Sequence, residues 1–444
     1  MISRTPWLRI WQTLQLIALS IGSIALASPV WAQAGGPFEP PGVNPTQRDM
    51  ASALFTACTT GPTLTNGLQT RCDSIAAETD VNAQLNAVDE VSPEQVGAAG
   101  TEATRVSGGQ LSQINSTLSS RMASVLGGAV AGVQTQFNGE WADLLSQRSG
   151  AAGSDDTAMG SRLGAFLSGN YQFGEVDTTF EAVGFDFDLG GVTAGLDYRV
   201  TDSVVLGGAF SYMRSEASFD DSAGDSEANS YNGSIFGLFN PTPELYLSGI
   251  VTIGGVDYDL TRRIQYTVTG DAVNARTNAD TTGVQFSFAG EIGYDYRAKA
   301  FTASPYFGVE SRRLNLDAYD ESGGAGWAAA VDDQEINSLT SQIGARMSYA
   351  ISTEMGVLLP QVRGEWVHEY SDDGRDIGAH FVNDPARNRF NIKTEDPDRN
   401  YGTVGADLSM TFAGGFSAFA AYEALVGYED VSSHEFTLGG RVEF

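Results

Sequence analysis

Three histidines, His368, His380 and His434, are the side chains best suited to act as general bases near neutral pH. All three fall in or beside segments where apolar and polar residues alternate, as they do in β-strands. His380 is followed three residues later by Asn383, but the residues between them supply no serine that the histidine could activate. We therefore predict neither an enzyme nor a cofactor or metal site from these residues.

The two cysteines, Cys58 and Cys72, are the other side chains with distinctive chemistry. They lie on either side of residues 59–62, which interrupt a polar segment, 47–90, that is predicted to be helical. A metal site would need further ligands, and no histidine lies nearby. A disulfide is therefore favoured. It would join two short helices into a hairpin and contribute about 3 kcal/mol through loop entropy.

Residues 1–32 have the pattern of a secretory signal peptide. Arg4 and Arg9 precede an apolar stretch at 14–27, and Ala32 provides the small residue expected at a cleavage site. A retained anchor helix is the alternative. After residue 32 no run of about 18 apolar residues remains, so we expect no membrane-spanning helix in the mature chain. Export would allow the disulfide to persist.

The chain is strongly acidic, with 25 Lys and Arg against 55 Asp and Glu and a formal net charge of −30. Binding to phosphate groups depends on clustered cations, so nucleic acid is excluded as a partner. The mean hydropathy of −0.14 is typical of a soluble protein. It is also compatible with a membrane barrel, because half of each barrel strand faces a polar lumen.

The C-terminal strand alternates strictly between apolar and polar side chains. Phe436, Leu438, Val442 and the terminal Phe444 share the apolar face, whereas the other face is mostly polar or charged. A soluble domain rarely ends in a free aromatic residue on such a strand. In outer-membrane barrels a terminal strand of this kind resembles the signal that the barrel-assembly machinery recognises.

The same alternation recurs upstream and predicts an all-β transmembrane barrel of about 12 antiparallel strands within residues 160–444. The predicted strands are 162–174, 188–200, 203–219, 228–240, 243–260, 280–297, 300–315, 333–350, 354–370, 399–412, 415–428 and 434–444. Connections after even-numbered strands are short, as at Thr201-Asp202, whereas those after odd-numbered strands are longer, including 261–279 and 371–398. Such barrels have short periplasmic turns and long outer loops. A soluble β-sandwich is the alternative.

Charged residues of both signs fall on the predicted inward faces of the strands. They are Glu291, Glu310, Arg312, Arg346, Arg363, Glu365, Asp407 and Arg441. Mixed signs predict a paired network rather than a selectivity ring of one sign. The network could hold a helix in the lumen or simply solvate the lumen wall, and the sequence leaves both alternatives open.

The N-terminal third is predicted to have two parts. Residues 33–91 begin with a Gly- and Pro-rich stretch and continue as the short helical segment that carries the cysteines. Ser92-Pro93-Glu94-Gln95 has the composition of a helix start and opens a linker region, 92–150, that is rich in serine and glycine. A slim helix directly before the first strand could lie in the lumen, and a helix packed in the periplasm is the alternative.

In combination these features resemble the autotransporter (type V secretion) family. A signal peptide, a short N-terminal segment, a linker helix and a C-terminal barrel follow one another in the family's order, and the resemblance is closest at 414–423 and 434–444. It implies an outer-membrane barrel that anchors, and translocates or displays, a small N-terminal passenger without covalent chemistry. The implied partners are outer-membrane lipid and lipopolysaccharide, the barrel-assembly machinery and periplasmic chaperones.

Two features depart from the family pattern. The exported part before the barrel, about 33–130, is too short for the β-helix passenger that is usual in the family. Gly224-Asp225-Ser226 matches the core of an esterase motif that some family passengers carry, but here it falls in a predicted outer loop, so we regard it as a coincidence. A passive channel that uses the N-terminal helix as a plug is the alternative function.

Overall fold

The protein consists of a closed antiparallel β-barrel and a small group of helices at one of its ends. The computed structural model describes residues 43–60, 64–98, 100, 162–412 and 416–444. The predicted signal peptide and most of the predicted linker lie outside these residues. Within the described ranges, the helices are too short and too polar to cross a membrane.

Twelve strands form the barrel, and each pairs with the barrel strand that follows it in the sequence. They are β1 (Leu163–Val176), β2 (Phe185–Thr201), β3 (Val204–Phe219), β4 (Gly224–Phe239), β5 (Leu245–Val268), β6 (Asp271–Tyr294), β7 (Phe301–Leu316), β8 (Gln334–Tyr349), β9 (Gly356–Glu369), β10 (Asn400–Phe412), β11 (Phe416–Val426) and β12 (Val431–Glu443). Short turns connect the strands at one end of the barrel, the turn end, and longer segments connect them at the other, the loop end. The prediction of an all-β barrel of twelve antiparallel strands is confirmed.

The barrel closes through its last strand. β12 pairs with β1 along its length, ending with Glu443 opposite Gly164. The backbone nitrogen of Phe444 then donates to the carbonyl oxygen of Leu163 at 3.0 Å, so the terminal residue completes the ladder. Closure leaves no open strand edge, which is decisive in lipid, where each unsatisfied backbone group costs several kcal/mol.

The outer surface between the two ends is covered by exposed apolar side chains. Because successive side chains of a strand point to opposite faces, every second residue faces outward. The outward residues include Leu167, Val192, Leu206, Phe210, Ile235, Ile253, Phe286, Ile343, Val404 and Leu438. A continuous apolar surface of this kind is stable against lipid rather than against water.

Strands β5 and β6 are 24 residues long and continue beyond the loop end as a two-stranded hairpin. Nearer the turn end the apolar residues of these strands, such as Ile253 and Phe286, face outward. In the extension the pattern inverts, because apolar residues such as Tyr258 and Ile264 face inward and are buried. The inversion follows from the surroundings, since the outer face passes from lipid to water. The prediction of a long loop at 261–279 is therefore wrong, because this segment forms the outer half of the hairpin.

Two of the longer connections contain short strands that form a separate four-stranded sheet, the loop sheet. Its strands are Tyr319–Asp320, Ala329–Val331, Asp376–Phe381 and Arg389–Lys393. Residues Ser322–Gly323 pair with β6 and so connect the β7–β8 segment to the hairpin. The sequence predicted these two connections, 316–332 and 371–398, only as long loops.

Three helices, together called the cap, cover the loop end. They are α1 (Pro45–Thr60), α2 (Leu68–Ala77) and α3 (Val81–Val91). A reciprocal capping box starts α1: the nitrogen of Gln47 donates to Asn44 Oδ1 at 2.8 Å, and the nitrogen of Asn44 donates to Gln47 Oε1 at 3.2 Å. Pro45 occupies the first helical position, where no backbone donor is needed. The helical segment therefore contains three helices rather than the two that the sequence predicted.

Near the turn end, inward aromatic rings lie over glycines of neighbouring strands. A Cβ added to Gly195 would stand 2.4 Å from the ring of Phe166, which packs edge-on against Phe236 with 5.9 Å between centroids. Gly195→Ala should therefore destabilise the barrel by about 1–3 kcal/mol, because the buried ring must move. Urea unfolding in lipid vesicles would measure this loss. Gly233→Ala is the matched control, since its Cβ would meet nothing within 4 Å. Equal effects of the two substitutions would contradict the packing argument.

Candidate functional site: the lumen and its helical cap

Most of the charged side chains of the lumen wall lie on one part of the barrel, β6 to β12. Among apolar residues such as Phe166, Leu189 and Met213 and the charged Asp197, β1 to β5 carry several buried inward hydroxyls and amides. They include Ser168, Asn170, Thr193, Ser211, Ser230, Asn232, Ser234 and Thr252. The eight charged residues that the sequence placed inside the barrel all lie on β6 to β12. They are Glu291 on β6, Glu310 and Arg312 on β7, Arg346 on β8, Arg363 and Glu365 on β9, Asp407 on β10 and Arg441 on β12.

Arg346 forms a two-point ion pair in this part of the wall. Its Nη1 and Nη2 atoms lie 2.7 and 2.6 Å from the two carboxylate oxygens of Glu291. Tyr246 donates its hydroxyl to the same carboxylate at 2.8 Å, and the guanidinium carbon lies 4.0 Å from the ring centroid of Tyr306. Bidentate pairing and a stacked aromatic ring together hold the guanidinium in one orientation. The sequence did not predict that either tyrosine contacts Arg346.

The other predicted lumen charges also have partners. The pairs are Arg312–Glu310, Glu365–Tyr306, Arg363–Glu423, Asp407–Gln361 and Arg441–Asp197. Arg441 is almost completely buried, and its Nη2 lies 2.6 and 2.8 Å from the two oxygens of Asp197 across the closing seam of the barrel. Opposite charges therefore lie side by side along the described wall, an arrangement unlike a selectivity ring of one sign.

The chain leaves the cap at the outer mouth of the lumen. Residues 95–98 form a helical turn after α3, and Glu94, Gly97 and Gly100 line a cavity of about 390 Å³ together with several lumen charges. The guanidinium of Arg375 donates to the carbonyl oxygen of Gly97 at 3.2 Å, and a Cβ on Gly100 would collide with that guanidinium at 2.1 Å. Glycine at this position therefore lets the chain pass close to Arg375.

The described chain resumes at the opposite end of the barrel. The carbonyl oxygen of Arg162 accepts from the nitrogen of Arg199 at 2.8 Å, which places Arg162 beside the β2–β3 turn. Gly100 and Arg162 therefore lie at opposite mouths of the lumen. Of the predicted linker region, 92–150, only residues 92–98 and 100 belong to the described residues.

The cap and the loop end share one hydrophobic core. This core includes Met50, Leu54, Leu68, Ile75 and Val91 of the cap and Tyr258, Ile264, Tyr266, Trp327, Phe381 and Ile392 of the hairpin and loop sheet. Polar contacts surround it: Thr46 Oγ1 accepts from the nitrogen of Lys393 at 2.9 Å, and Arg71 forms an ion pair with Asp271. The cap is therefore packed against the barrel extension through one continuous core.

A buried ion pair ties α3 to the hairpin and the loop sheet. Arg262 on β5 binds Glu321 through Nε–Oε1 at 3.1 Å and Nη2–Oε2 at 2.7 Å, and both side chains are almost completely buried. The guanidinium also donates to the carbonyl oxygens of Val91, at the end of α3, and of Trp327. Glu321 accepts a further bond from Thr277 Oγ1 at 2.9 Å. These hydrogen bonds compensate both buried charges.

The two cysteines are joined in a disulfide inside the cap. Cys58 of α1 and Cys72 of α2 have their Cα atoms 6.0 Å apart, and Cys72 lies in the hydrophobic core. The bond joins the two helices into a hairpin, as the sequence predicted. The third helix follows with Asp80 as its N-cap, whose Oδ1 accepts from the nitrogen of Asn82 at 2.9 Å.

The histidines and the Gly-Asp-Ser tripeptide lie on separate elements. His368 and His434 are on the outer faces of β9 and β12 within aromatic clusters, and His380 is in the loop sheet. Ser226 is buried within β4, opposite Ala217 of β3, so the tripeptide lies on a strand and not in the predicted outer loop. Across the described part of the chain, His, Cys, Asp and Glu side chains form no group of three that could hold a metal ion.

The residues of the predicted assembly signal lie on the outer face of the last strand. Phe436, Leu438, Val442 and Phe444 are exposed, and the ring of Phe436 lies 5.0 Å from that of Tyr422 on β11. In the folded barrel this face meets lipid. Its recognition by the assembly machinery stays a prediction.

The sequence did not predict two buried charged residues, Arg262 between the cap and the barrel and Glu94 within the cap. A signal for Arg262 was present, because it lies in phase with the buried Tyr258 and Ile264 on an alternating strand. Glu94 has no comparable signal, since it accepts a hydrogen bond from Asn44, 50 residues earlier in the chain.

A closed barrel with an apolar outer surface, a polar lumen and short turns at one end is an outer-membrane β-barrel. Residues 165–423, more than half of the chain, match the family model described as the autotransporter beta-domain. The chain therefore belongs to the autotransporter family, and its barrel is an outer-membrane translocator domain. The resemblance inferred from the sequence is confirmed.

Known proteins match this chain over different shares of their own length. The translocator domain of autotransporter NalP from Neisseria meningitidis has a TM-score of 0.50 and 15% identity, covering 68% of this chain and 96% of that chain, which shows the fold. Esterase EstA from Pseudomonas aeruginosa is 26% identical over 60% of this chain and 40% of the relative. Outer membrane protein B from Rickettsia typhi is 21% identical over 79% of this chain and 21% of the relative. The chain thus spans less than half the length of these two curated relatives.

Proposed function

We propose that the barrel exports the chain's own N-terminal segment through its lumen and keeps that segment at the cell surface as a docked cap. The observation that carries this proposal is the position of Gly100 and Arg162, between which the described chain is interrupted, at opposite mouths of the lumen. The cap lies at the loop end, which is the outer end of such barrels, whereas Arg162 lies at the turn end. The chain that connects them starts at Gly100, in the outer mouth.

The lumen is the route that export of the N-terminal segment would take. A route along the outside of the barrel would place backbone in lipid, where each unsatisfied N–H or C=O group costs several kcal/mol. Inside, the hydroxyl and amide side chains of β1 to β5 provide uncharged hydrogen-bonding groups. Such a wall suits the passage of a chain rich in serine and glycine, and the sequence of residues 92–150 has that composition.

A passive channel with a periplasmic plug is a poorer explanation of the same structure. Such a plug would lie at the turn end, whereas the cap shares its hydrophobic core with the hairpin at the loop end. We also propose that the chain performs no covalent chemistry. It resembles both a protein named as an esterase and one named only as an outer membrane protein, so the resemblance alone supports no particular reaction.

The exposed apolar surface suggests the remaining partners, which are also proposals. The outward face of β12, formed by Phe436, Leu438, Val442 and Phe444, is our candidate for recognition by the barrel-assembly machinery. Before insertion the apolar strand faces are unprotected, so periplasmic chaperones would have to prevent aggregation. After insertion the same faces would contact outer-membrane lipid and, on the outer side, lipopolysaccharide.

An epitope tag inserted between Pro41 and Gly42, just before the described cap, tests export. In intact cells the tag should bind antibody and be removed by added protease. A second tag in the β2–β3 turn at Asp202 is the matched control and should stay protected until the outer membrane is opened. Protection of the N-terminal tag in intact cells, followed by exposure once the membrane is opened, would show a periplasmic N-terminus and contradict export.

A further inference from the structure

Glu94 is buried at the joint between the cap and the barrel. It follows α3 and lines two cavities, the one at the outer mouth of the lumen and a second of about 390 Å³ between the cap and the β3–β4 connection. One carboxylate oxygen, Oε1, accepts from Asn44 Nδ2 at 2.8 Å and from Gln47 Nε2 at 3.0 Å. Only 7% of the residue is exposed, so water solvates the carboxyl poorly.

A second carboxylate shares one of these donors. Gln47 Nε2 also donates to Asp89 Oδ1 at 2.5 Å, so the carboxylates of Asp89 and Glu94 bind the same amide at the start of α1. Two anions held this close repel each other, and burial penalises each charge further. Burial is the main cause that raises the pKa of Glu94 to about 7, and the charge of Asp89 acts in the same direction.

The charged groups around Glu94 are mostly acidic. Besides the ion pairs of the lumen wall, the groups that line the two cavities are Asp89 and Glu90 of α3, Asp220 and Asp221 of the β3–β4 connection, and Asp373, Arg375, Lys393, Glu395 and Asp398 of the β9–β10 connection. The two cations among them bind elsewhere: Arg375 donates to the carbonyl oxygen of Gly97 at 3.2 Å, and Lys393 Nζ lies 3.4 Å from Asp376 Oδ1. The hydrogen bonds that Glu94 receives from α1 come from uncharged amides.

We propose that Glu94 is a proton-operated latch, which holds the start of α1 against the chain that enters the lumen mouth while it is protonated and lets the cap loosen over that mouth once it is ionised. The latch adds a means of regulation to the proposed function. It rests on that proposal for one point, namely that this mouth of the lumen faces outward. The direction follows from proton linkage. Because the folded pKa of about 7 lies above the ordinary value of 4.5, docking has its full support below about pH 4.5 and loses it as the pH rises through about 7.

Hydrogen–deuterium exchange of the full-length protein in detergent micelles tests the latch. The amides of α1 to α3 are compared at about pH 5.5 and about pH 8.5, with labelling times corrected for the intrinsic pH dependence of exchange. In the wild-type protein, protection of these amides should fall about tenfold or more between the two values. Glu94→Gln keeps an acceptor oxygen for Asn44 and should give equal protection at both.

Glu78→Gln is the matched control. Glu78 joins the cap to the hairpin, since it accepts from the nitrogen of Thr269 at 2.6 Å, but hydrogen bonds from the backbone of Asp80 and Thr269 lower its pKa to about 2. This carboxylate stays ionised across the measured range, so its loss should weaken protection by the same factor at both pH values. The latch is overturned if wild-type protection does not change with pH, or if Glu94→Gln keeps the wild-type pH dependence.

Asp89→Asn provides a second test in case Glu94→Gln does not fold. Removing the neighbouring charge should lower the pKa of Glu94 and so reduce the fall in protection between the two pH values. An undiminished fall would overturn the latch. Failure of the latch and failure of export are distinguishable, because exchange in micelles measures cap docking whereas the epitope tag reports the side of the membrane.

Discussion

Arg262→Met is expected to lower the stability of the docked cap by about 3–5 kcal/mol. The substitution removes the cation and leaves Glu321 buried, with 1% of its side chain exposed and no compensating charge. It also removes the donor that binds the carbonyl oxygen of Val91 at 3.1 Å, at the end of α3. Hydrogen exchange at a fixed pH should therefore show a large loss of protection in α1 to α3.

Arg313→Met is the matched control for this substitution. Arg313 pairs with Glu335 at 2.7 Å, but about half of each side chain is exposed. An exposed pair contributes about 0–1 kcal/mol, so its loss should have little effect. Combining Arg262→Met with Glu321→Gln should recover much of the stability, because no buried charge then remains without a partner. A loss for Arg262→Met no larger than that for Arg313→Met would contradict the importance of the buried pair.

The barrel could be predicted because its pairing is local in the sequence. Each barrel strand pairs with the next, so alternation within the strands and the lengths of the turns contain most of the information needed. In the final strand, Phe436 and Leu438 share the outer face that the alternation assigned to them. The same alternation placed Arg346 and Arg363 on the lumen side, although it could not identify Glu423 as the partner of Arg363.

The extension of β5 and β6 could not be recognised because its surroundings change part of the way along the strands. The outer face passes from lipid to water near Gly255, and the apolar phase inverts there. Residues 261–263 have the composition of a polar loop, although Arg262 is fully buried. Burial of Arg262 could be expected only if its partner were known. That partner, Glu321, lies 59 residues further along the chain, and nothing in the sequence pairs the two.

The docking of the cap depends on contacts between residues far apart in the sequence. Thr46 meets Lys393 across 347 residues, and Arg71 meets Asp271 across 200. The amphipathic pattern of a helix indicates that one face is buried, but it does not identify the surface that covers this face. For this reason the helical character of the segment could be predicted from the sequence, whereas its third helix and its position on the barrel could not.

Different interactions hold the barrel and the cap. The barrel is closed by a continuous backbone ladder from β1 to β12, whereas the cap depends on a shared core, the Arg262 ion pair and the joint at Glu94. Units with fewer cooperative contacts open before the rest of a structure. We therefore expect the cap to open while the barrel stays closed. Such behaviour would allow the cap to move at the surface while the barrel continues to anchor it in the membrane.

Cys58→Ala is expected to lower the stability of the cap by about 3 kcal/mol, because the disulfide closes a loop between cysteines 14 residues apart. Cys58 is the better position for the substitution, since it is only partly buried. Cys72 lies in the core, where its replacement would also leave a cavity. Hydrogen exchange of the full-length protein in micelles would measure the loss in α1 and α2.

Reduction of the wild-type disulfide with a thiol reagent is the matched control, because it breaks the same bond without changing the core. Both treatments should lower protection in α1 and α2 by similar factors and leave the amides of β1 to β12 protected, since the barrel closes through its own strands. If the barrel amides lost protection as well, the cap and the barrel would form a single cooperative unit. A cap of that kind could not open on a closed barrel, and a latch at Glu94 would then have no separate element to release.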